Sequence, residues 1–268
     1  MIAFICPTYD IERMKRYTEV TLCSFFATTK NGVAIVVDDG STDWTQSYEN
    51  ELLNLAAKYS GNIHLIHFEK NGGLTRSWNQ GLSKALELKA DYAIAGNNDI
   101  IFTPNWYSGL ITTADKRGGL VGPLSNAPGT TAKGLQEVSR YIPDYVLSDA
   151  AAVLAKQANY LQTKYTGQYI AVPAVNGFFQ FASMSNWVKG KYDAKLFYCP
   201  SNPFRSNGRP NPTPLMTMNE DELQKRWRKK GMYSSIATDS FIFHYRSVTR
   251  GPMYLKGMWY RHAKDQSL

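Results

Sequence analysis

The amino-acid sequence predicts an α/β fold with a mostly parallel central sheet flanked by helices. Three observations point there. Short apolar, β-branched runs alternate with stretches of helical periodicity through the first half of the chain. Several of these runs stop abruptly at Asp, Asn or Gly, residues that favour turns. A chain of 268 residues, 43% of them hydrophobic, can bury a large core without disulfide or metal staples.

The elements follow in order. Ile2 to Cys6 is an apolar run closed by Pro7 and reads as a buried strand. From Glu12 to Thr28, Tyr17, Thr21, Leu22, Phe25 and Phe26 recur at helical spacing. Val33 to Val37 is a second strand, ending in Asp38-Asp39-Gly40-Ser41. Trp44, Tyr48, Leu52, Leu55, Ala56 and Tyr59 mark one face of a helix that Asp or Ser of the preceding loop would cap. Ile63 to Phe68 reads as a strand, and Leu74, Trp78, Leu82 and Ala85 as a third helix. Tyr92 to Ala95 is a fourth strand, and Thr103-Pro104 has the form of an N-cap with proline at the first helical position.

The second half is less regular. Gly118 to Gly134 reads as loop around a short strand, and Val146 to Tyr165 as a helix. Ile170 to Phe181 mixes apolar residues around Asn176-Gly177. Five prolines between Pro200 and Pro214 exclude a regular element, and Asn219 opens a helix with Glu222 completing a capping box and Leu223 and Trp227 facing inward. No linker separates two independent units, so one domain of two lobes is expected.

Composition narrows the function classes. Thirty Lys and Arg against 22 Asp and Glu give a net charge of +8, which suits nucleic acid, an anionic membrane surface or a phosphorylated ligand. Charged residues at 19% and aromatic residues at 13% exclude a disordered tail protein. Cys6, Cys23 and Cys199 are odd in number and lack zinc spacing, so a reducing compartment fits. No leader peptide or membrane span is read from the sequence, which predicts a soluble, cytoplasmic protein. The basic run Lys225 to Lys230 reads as a solvated helix face near a C-terminus. That run, and the basic residues between Arg250 and Lys264, also suit an anionic glycan or a peripheral membrane contact.

In parallel α/β sheets ligands bind beyond the carboxyl ends of the strands. Asp38-Asp39-Gly40-Ser41-Thr42-Asp43 lies at such an end and reads either as a nucleoside contact or as a turn. Asn97-Asn98-Asp99 suits a hard divalent ion as well as it suits an Asx-rich turn. Asn71-Gly72-Gly73 with Arg76 could hold an anion at a helix start, yet it matches neither GxGxxG nor the P-loop. Glu220-Asp221 either complements a helix dipole or supplies a general base. His244 reads as a metal ligand, a base or a packed, hydrogen-bonded histidine.

The order of these motifs resembles that in family 2 glycosyltransferases, and most of all their rhamnosyltransferase-like branch. Pro7-Thr8-Tyr9-Asp10, Val36 to Asp43, Asn71-Gly72-Gly73 with Asn79-Gln80-Gly81, and Gly96 to Asp99 with Pro104-Asn105-Trp106 carry the likeness. Gly122 to Asn126, Asn176 to Phe179, Asn219 to Asp221 and His244 to Ser247 extend it, in collinear order over about residues 1 to 250. The resemblance implies a GT-A type nucleotide-diphospho-sugar transferase fold over residues 1–268. About 1–125 would form the nucleotide-sugar-binding lobe, about 126–250 the acceptor lobe and 251–268 a tail.

It further implies transfer, with inversion, of a sugar from a nucleotide-diphosphate donor to a hydroxyl of a glycan or glycoconjugate acceptor, with Mn²⁺ or Mg²⁺ as cofactor. By matched position, Thr8 with Asp38 or Asp39 would contact the nucleoside, and Arg76 the base or phosphates. Asn98 and Asp99 would belong to the DXD-type element, Asp99 and His244 to the metal site, and Asp221 would be the general base ahead of Glu220. Arg246 and Arg250 would lie near the diphosphate. The alternative is an inactive nucleotide-sugar or glycan-binding module on the same fold, while nucleic-acid binding is not expected. Asn219 replaces the family's usual glycine, and the proline-rich segment 199–218 has no counterpart, so the acceptor does not transfer.

Overall fold

A computed structural model describes residues 1–128, 134–190 and 219–245. Cys199, the proline-rich segment 199–218, Arg246, Arg250 and the tail 251–268 lie outside the described residues. The first half is a run of strands each followed by a helix: β1 (Ile2–Thr8), α1 (Ile11–Thr28), β2 (Gly32–Asp38), α2 (Gln46–Lys58), β3 (Asn62–His67), α3 (Leu74–Glu87) and β4 (Tyr92–Gly96). There follow β5 (Ile100–Phe102), α4 (Tyr107–Arg117), β6 (Val121–Leu124), α5 (Ala151–Lys164), β7 (Tyr169–Val172), β8 (Phe179–Ser183), α6 (Met184–Gly190), α7 (Asn219–Lys229) and β9 (Ser234–His244).

The strands form one sheet in the order β3-β2-β1-β4-β8-β6-β9-β5, with β7 also paired to β9. β1 is buried along its whole length and pairs in parallel with β2 on one side and β4 on the other. Burial on both faces explains its uninterrupted apolar run. The expectation of a mostly parallel sheet holds for β3, β2, β1 and β4, where a helix follows each strand and supplies the long crossover that parallel pairing needs. Beyond β4 the sheet is mixed: β8 runs antiparallel to β4 and β6, as do β5 and β7 to β9, while β6 and β9 are parallel.

Two apolar layers pack against the sheet. One gathers Ile5, Ile35, Trp78, Leu82, Trp187, Leu223 and Trp227, the other Phe4, Phe25, Phe102, Trp106, Phe179 and Ile242. Truncating a buried member such as Leu82 to Ala costs about 2–5 kcal/mol. The exposed side of β5 is closed by α1. Thr21 Oγ donates to Ile100 O (2.7 Å) and accepts from Ile100 N–H (3.0 Å), and Ser24 Oγ accepts from Phe102 N–H (3.0 Å). These bonds satisfy an edge that would otherwise invite pairing, and they fix the chain just after Asp99.

Several boundaries differ from expectation. Thr103 caps no helix: its hydroxyl donates to Phe241 O (2.7 Å), and α4 starts only at Tyr107. α5 begins at Ala151, five residues late, leaving Val146 and Leu147 exposed on the preceding loop. The Glu222 carboxylate takes Arg226 (2.9 and 3.2 Å), while the side chain of Asn219, the other half of the expected capping box, lies outside the described residues. The basic run is only partly solvated, because Arg226 and Arg228 also donate to the carbonyls of Gly190 and Pro173. Among the described residues no helix is long and apolar enough to cross a membrane.

Candidate functional site

The parallel register sets Thr8 beside Asp38, so the loops after β1, β2 and β4 open at one edge of the sheet. There the polar residues singled out in the sequence separate into two groups, those engaged by the protein itself and those left facing one another.

The loop after β2 belongs to the first group. Asp38 is fully buried and accepts from Gly40 N–H (3.1 Å), Ser41 N–H (2.9 Å), the Ser41 hydroxyl and His67 Nδ1 (2.8 Å). Asp39 accepts from Gly72 N–H (3.1 Å), Gly73 N–H (2.7 Å) and Arg76 (2.6 Å). Gly73 has φ of 87°, a conformation that side-chain-bearing residues rarely adopt, and this aims its N–H at Asp39. Arg76 also donates to Lys70 O and lies over the Phe68 ring at 3.8 Å. Ser41 Oγ accepts from Asp10 N–H (3.0 Å), while Asp43 accepts from Ile11 N–H (3.2 Å) and Glu12 N–H (2.6 Å). The expected capping is thereby corrected: Asp43 caps α1, and Thr45 caps α2 through Tyr48 N–H (3.2 Å). Burial and these four donors make Asp38 the holder of its own loop.

Asn98 is likewise internal. Its amide donates to the hydroxyls of Thr8 (3.3 Å) and Thr18 (3.0 Å), and all three side chains are buried. Through its Nδ2, Asn98 thus braces the floor beneath the opening, with Thr8 and Thr18 as its acceptors.

The second group is Asp99 and His244. Asp99 ends the β4 loop at 2% exposure, and its Oδ1 has no hydrogen-bond partner. His244 Nε2 stands 3.4 Å from that oxygen, with Asn97 Nδ2 also at 3.4 Å. The other ring nitrogen, Nδ1, lies 3.0 Å from Ala127 O, and a carbonyl can only accept, so Nδ1 carries a proton. Asn97 Nδ2 can only donate, so Nε2 accepts from it, while the Asp99 oxygen beside them has no donor; an open carboxylate oxygen next to a ring nitrogen that can ligate suits a cation. Two cis ligands at about 2.1 Å from an octahedral ion stand about 3.0 Å apart, close to what is observed. The residues therefore fit a divalent ion. Among the described residues no third His, Cys, Asp or Glu joins them, so further ligands would be water and oxygens of a bound molecule.

Neighbouring groups hold this pair rigid. Asn126 clamps the His244 backbone, donating to its carbonyl (3.0 Å) and accepting from its N–H (2.8 Å). The Phe178 ring stacks on the imidazole (4.8 Å, 12°), and Phe178 O accepts from Asn97 N–H (2.9 Å). Tyr245 N–H donates to Asp99 O (2.9 Å), and its hydroxyl to Asp149 (3.0 Å). Burial and that bond push the Tyr245 phenol up to about 12, so it stays a neutral donor. Cys6 is no nucleophile, since burial and then the nearby Asp99 charge push its thiol up. Sequence reasoning assigned no such role to Asn126, Ala127 or Phe178; the segments Gly122 to Asn126 and Asn176 to Phe179 were the only signal.

Glu220 and Asp221 start α7, whose inner face carries buried Leu223, Gln224 and Trp227. Helical phase puts Glu220 in line with those residues, packed beside Gly177, while Asp221 is turned by about 100° and exposed.

Comparison with known proteins bears on this site. The family model described as "Glycosyl transferase family 2" matches residues 4–172. The "Uncharacterized glycosyltransferase R363" of Acanthamoeba polyphaga mimivirus is 26% identical over 83 residues, which are 31% of this chain and 30% of that protein. Among solved structures, GalNAc-T7 with UDP, GalNAc and Mn²⁺ superposes with a TM-score of 0.59 at 14% identity, over 91% of this chain and 43% of that one. The mannosyltransferase PcManGT from Pyrobaculum calidifontis, in complex with GDP-Man and Mn²⁺, gives 0.53 at 14% identity, over 91% and 56%. At such identity the superpositions establish a shared GT-A fold, and the chain spans only part of each of these relatives. None of these matches distinguishes the rhamnosyltransferase-like branch.

Proposed function

The chain belongs to glycosyl transferase family 2, and we propose that it moves a sugar from a nucleoside-diphosphate donor to a hydroxyl of a glycan or glycoconjugate acceptor, with inversion at the anomeric carbon. One observation carries this reading: Asp99 Oδ1 and His244 Nε2 face each other 3.4 Å apart at the carboxyl ends of the parallel strands. Asp99 and His244 would hold Mn²⁺ or Mg²⁺, which supplies positive charge to the departing diphosphate.

The chain's own residues supply the rest. Asp221, exposed at the start of α7, takes the proton from the acceptor hydroxyl as that oxygen forms its bond to C1. The C1–O bond to the diphosphate breaks on the opposite face, and the electron pair leaves with the nucleoside diphosphate. Asp39, Arg76 and the Gly72-Gly73 turn hold one wall of the donor opening at fixed shape. Fixed walls keep donor and acceptor in line, which is where much of the rate enhancement of such a transfer arises.

The test is nucleoside-diphosphate release across a panel of nucleotide sugars with Mn²⁺ or Mg²⁺, by the wild type and by Asp221→Asn. Release by the wild type should fall by about 10²–10⁴ in the variant. A variant working at the wild-type rate overturns the base, and a wild type that binds a donor but never releases product overturns transfer.

A further inference from the structure

α7 and the Asp99–His244 pair are joined by one short segment, Val175 to Phe178. At its start the Gln224 side chain, buried at 2% exposure, grips the Val175 backbone at both ends: Oε1 accepts Val175 N–H (2.8 Å) and Nε2 donates to Val175 O (3.0 Å). Ser234 Oγ donates to the same Oε1 (2.9 Å) and fixes the amide's orientation. At its end Phe178 stacks on His244 and accepts Asn97 N–H. Between them sits Gly177, whose missing side chain leaves the space that the Glu220 carboxyl fills. A Cβ on Gly177 would lie 2.8 Å from both Cδ and Oε1 of Glu220.

We infer that Gly177 and Glu220 are positioning residues: their contact sets the start of α7, and with it Asp221, in register with Asp99 and His244. This rests on the reading of Asp221 as the base. The physical reason is reach. A general base works only within hydrogen-bond distance of the proton it removes, and the acceptor oxygen must also meet a C1 whose diphosphate is held at the other group. Gln224 ties down the second turn of α7, but the first turn, which bears Asp221, meets the segment through Glu220 against Gly177. A Cβ at 177 occupies the space that the Glu220 carboxyl fills, so that flexible side chain must swing away; the fold tolerates this, but the first turn of α7 loses the contact that holds it while Gln224 still ties the second turn.

Gly177→Ala in the full chain separates this role from a merely structural one. Turnover should fall by about 10- to 100-fold, the loss expected for a misplacement near 1 Å. Affinity for Mn²⁺ with UDP or GDP, whichever binds, should stay within about twofold, since that contact lies on the far side of Phe178. In a Glu220→Ala background, where the displaced carboxyl is gone, Gly177→Ala should cost nothing further. An equal loss in both backgrounds, a parallel loss of nucleotide affinity, or an unchanged rate overturns the inference. Asp221→Asn measured alongside keeps the two readings apart: a wild-type rate there overturns the base assignment, whereas an inactive Asp221→Asn beside an unaffected Gly177→Ala overturns the positioning alone.

Discussion

The loops after β2 and β4 look alike in sequence, each a buried apolar strand ending in carboxylates and small polar residues. In the folded protein they behave oppositely. Asp38 and Asp39 accept seven hydrogen bonds between them, five from their own loop and the Gly72-Gly73 turn and two from His67 and Arg76. Asp99 leaves Oδ1 without a hydrogen-bond partner, 3.4 Å from the Nε2 of His244. A carboxylate at a strand end is therefore no sign of a ligand site by itself; one whose acceptor capacity the protein leaves open toward another ligating atom is.

Asp239 marks the limit of that lesson. It too has a buried oxygen without a partner, but that oxygen faces the bare Cα of Gly109, where nothing ligates. Its other oxygen accepts from Gly167 N–H (2.7 Å). An open lone pair thus needs a second ligating atom nearby before it becomes chemistry.

Exchanging the roles of the two loops tests the contrast. Asp99→Asn should lower transfer by about 10²–10³, as for loss of one group that stabilises leaving-group charge, and should abolish Mn²⁺-dependent nucleotide binding. In metal-free protein its melting temperature should be unchanged or higher, because the amide replaces a buried carboxylate oxygen that has no hydrogen-bond partner; a melting temperature lowered by several degrees would assign Asp99 to the scaffold.

Asp38→Ala should do the reverse. It leaves buried donors unsatisfied and should cost about 3 kcal/mol in denaturant unfolding, with any loss of turnover following the loss of fold. Asp39→Ala should cost about 2 kcal/mol, less because Arg76 is partly exposed and its ion pair is screened. It should also open the Gly72-Gly73 turn, read as faster amide exchange at those two residues.

A smaller effect concerns pH. Burial raises the Asp239 carboxyl above its ordinary value of 3.8, so the folded state holds this proton more tightly than the unfolded chain. Stability from this group is present below 3.8 and is lost as pH rises from there through the folded value. Asp239→Asn should flatten that part of the stability–pH curve, measured by urea unfolding. Thr45→Ala, which removes only the α2 cap, should cost about 1 kcal/mol and leave transfer untouched.

How much was legible in the sequence varies along the chain in the same physical way. Strands β1 to β4 and helices α1 to α3 match the sequence reading within a few residues because each is locally periodic and apolar, whereas the short β5 (Ile100–Phe102) carries no such signal and was not read. β9 was not legible in the sequence, although all eleven residues from Ser234 to His244 are buried. Ser234, Thr238 and Ser240 interrupt the apolar run, and burial suits them only because Gln224, Gln168 O and Trp106 O complete their hydrogen bonds. α5 starts later than the periodicity suggests because Val146, in helical phase with Ala150 and Val153, lies exposed on the preceding loop.

The sequence by itself determined the α/β alternation, the two-sided burial of β1, and the gathering of Asp38, Asp39, Gly72, Gly73 and Asp99 at strand ends, since periodicity and turn chemistry act over a few residues. Only the tertiary structure decided which of those groups are engaged. Asp39 meets Gly72 and Gly73 across more than thirty positions of chain, and Asp99 meets His244 across more than a hundred. A hydrogen bond is satisfied or left open by atoms within about 3 Å, and no local pattern records which distant donor will arrive there.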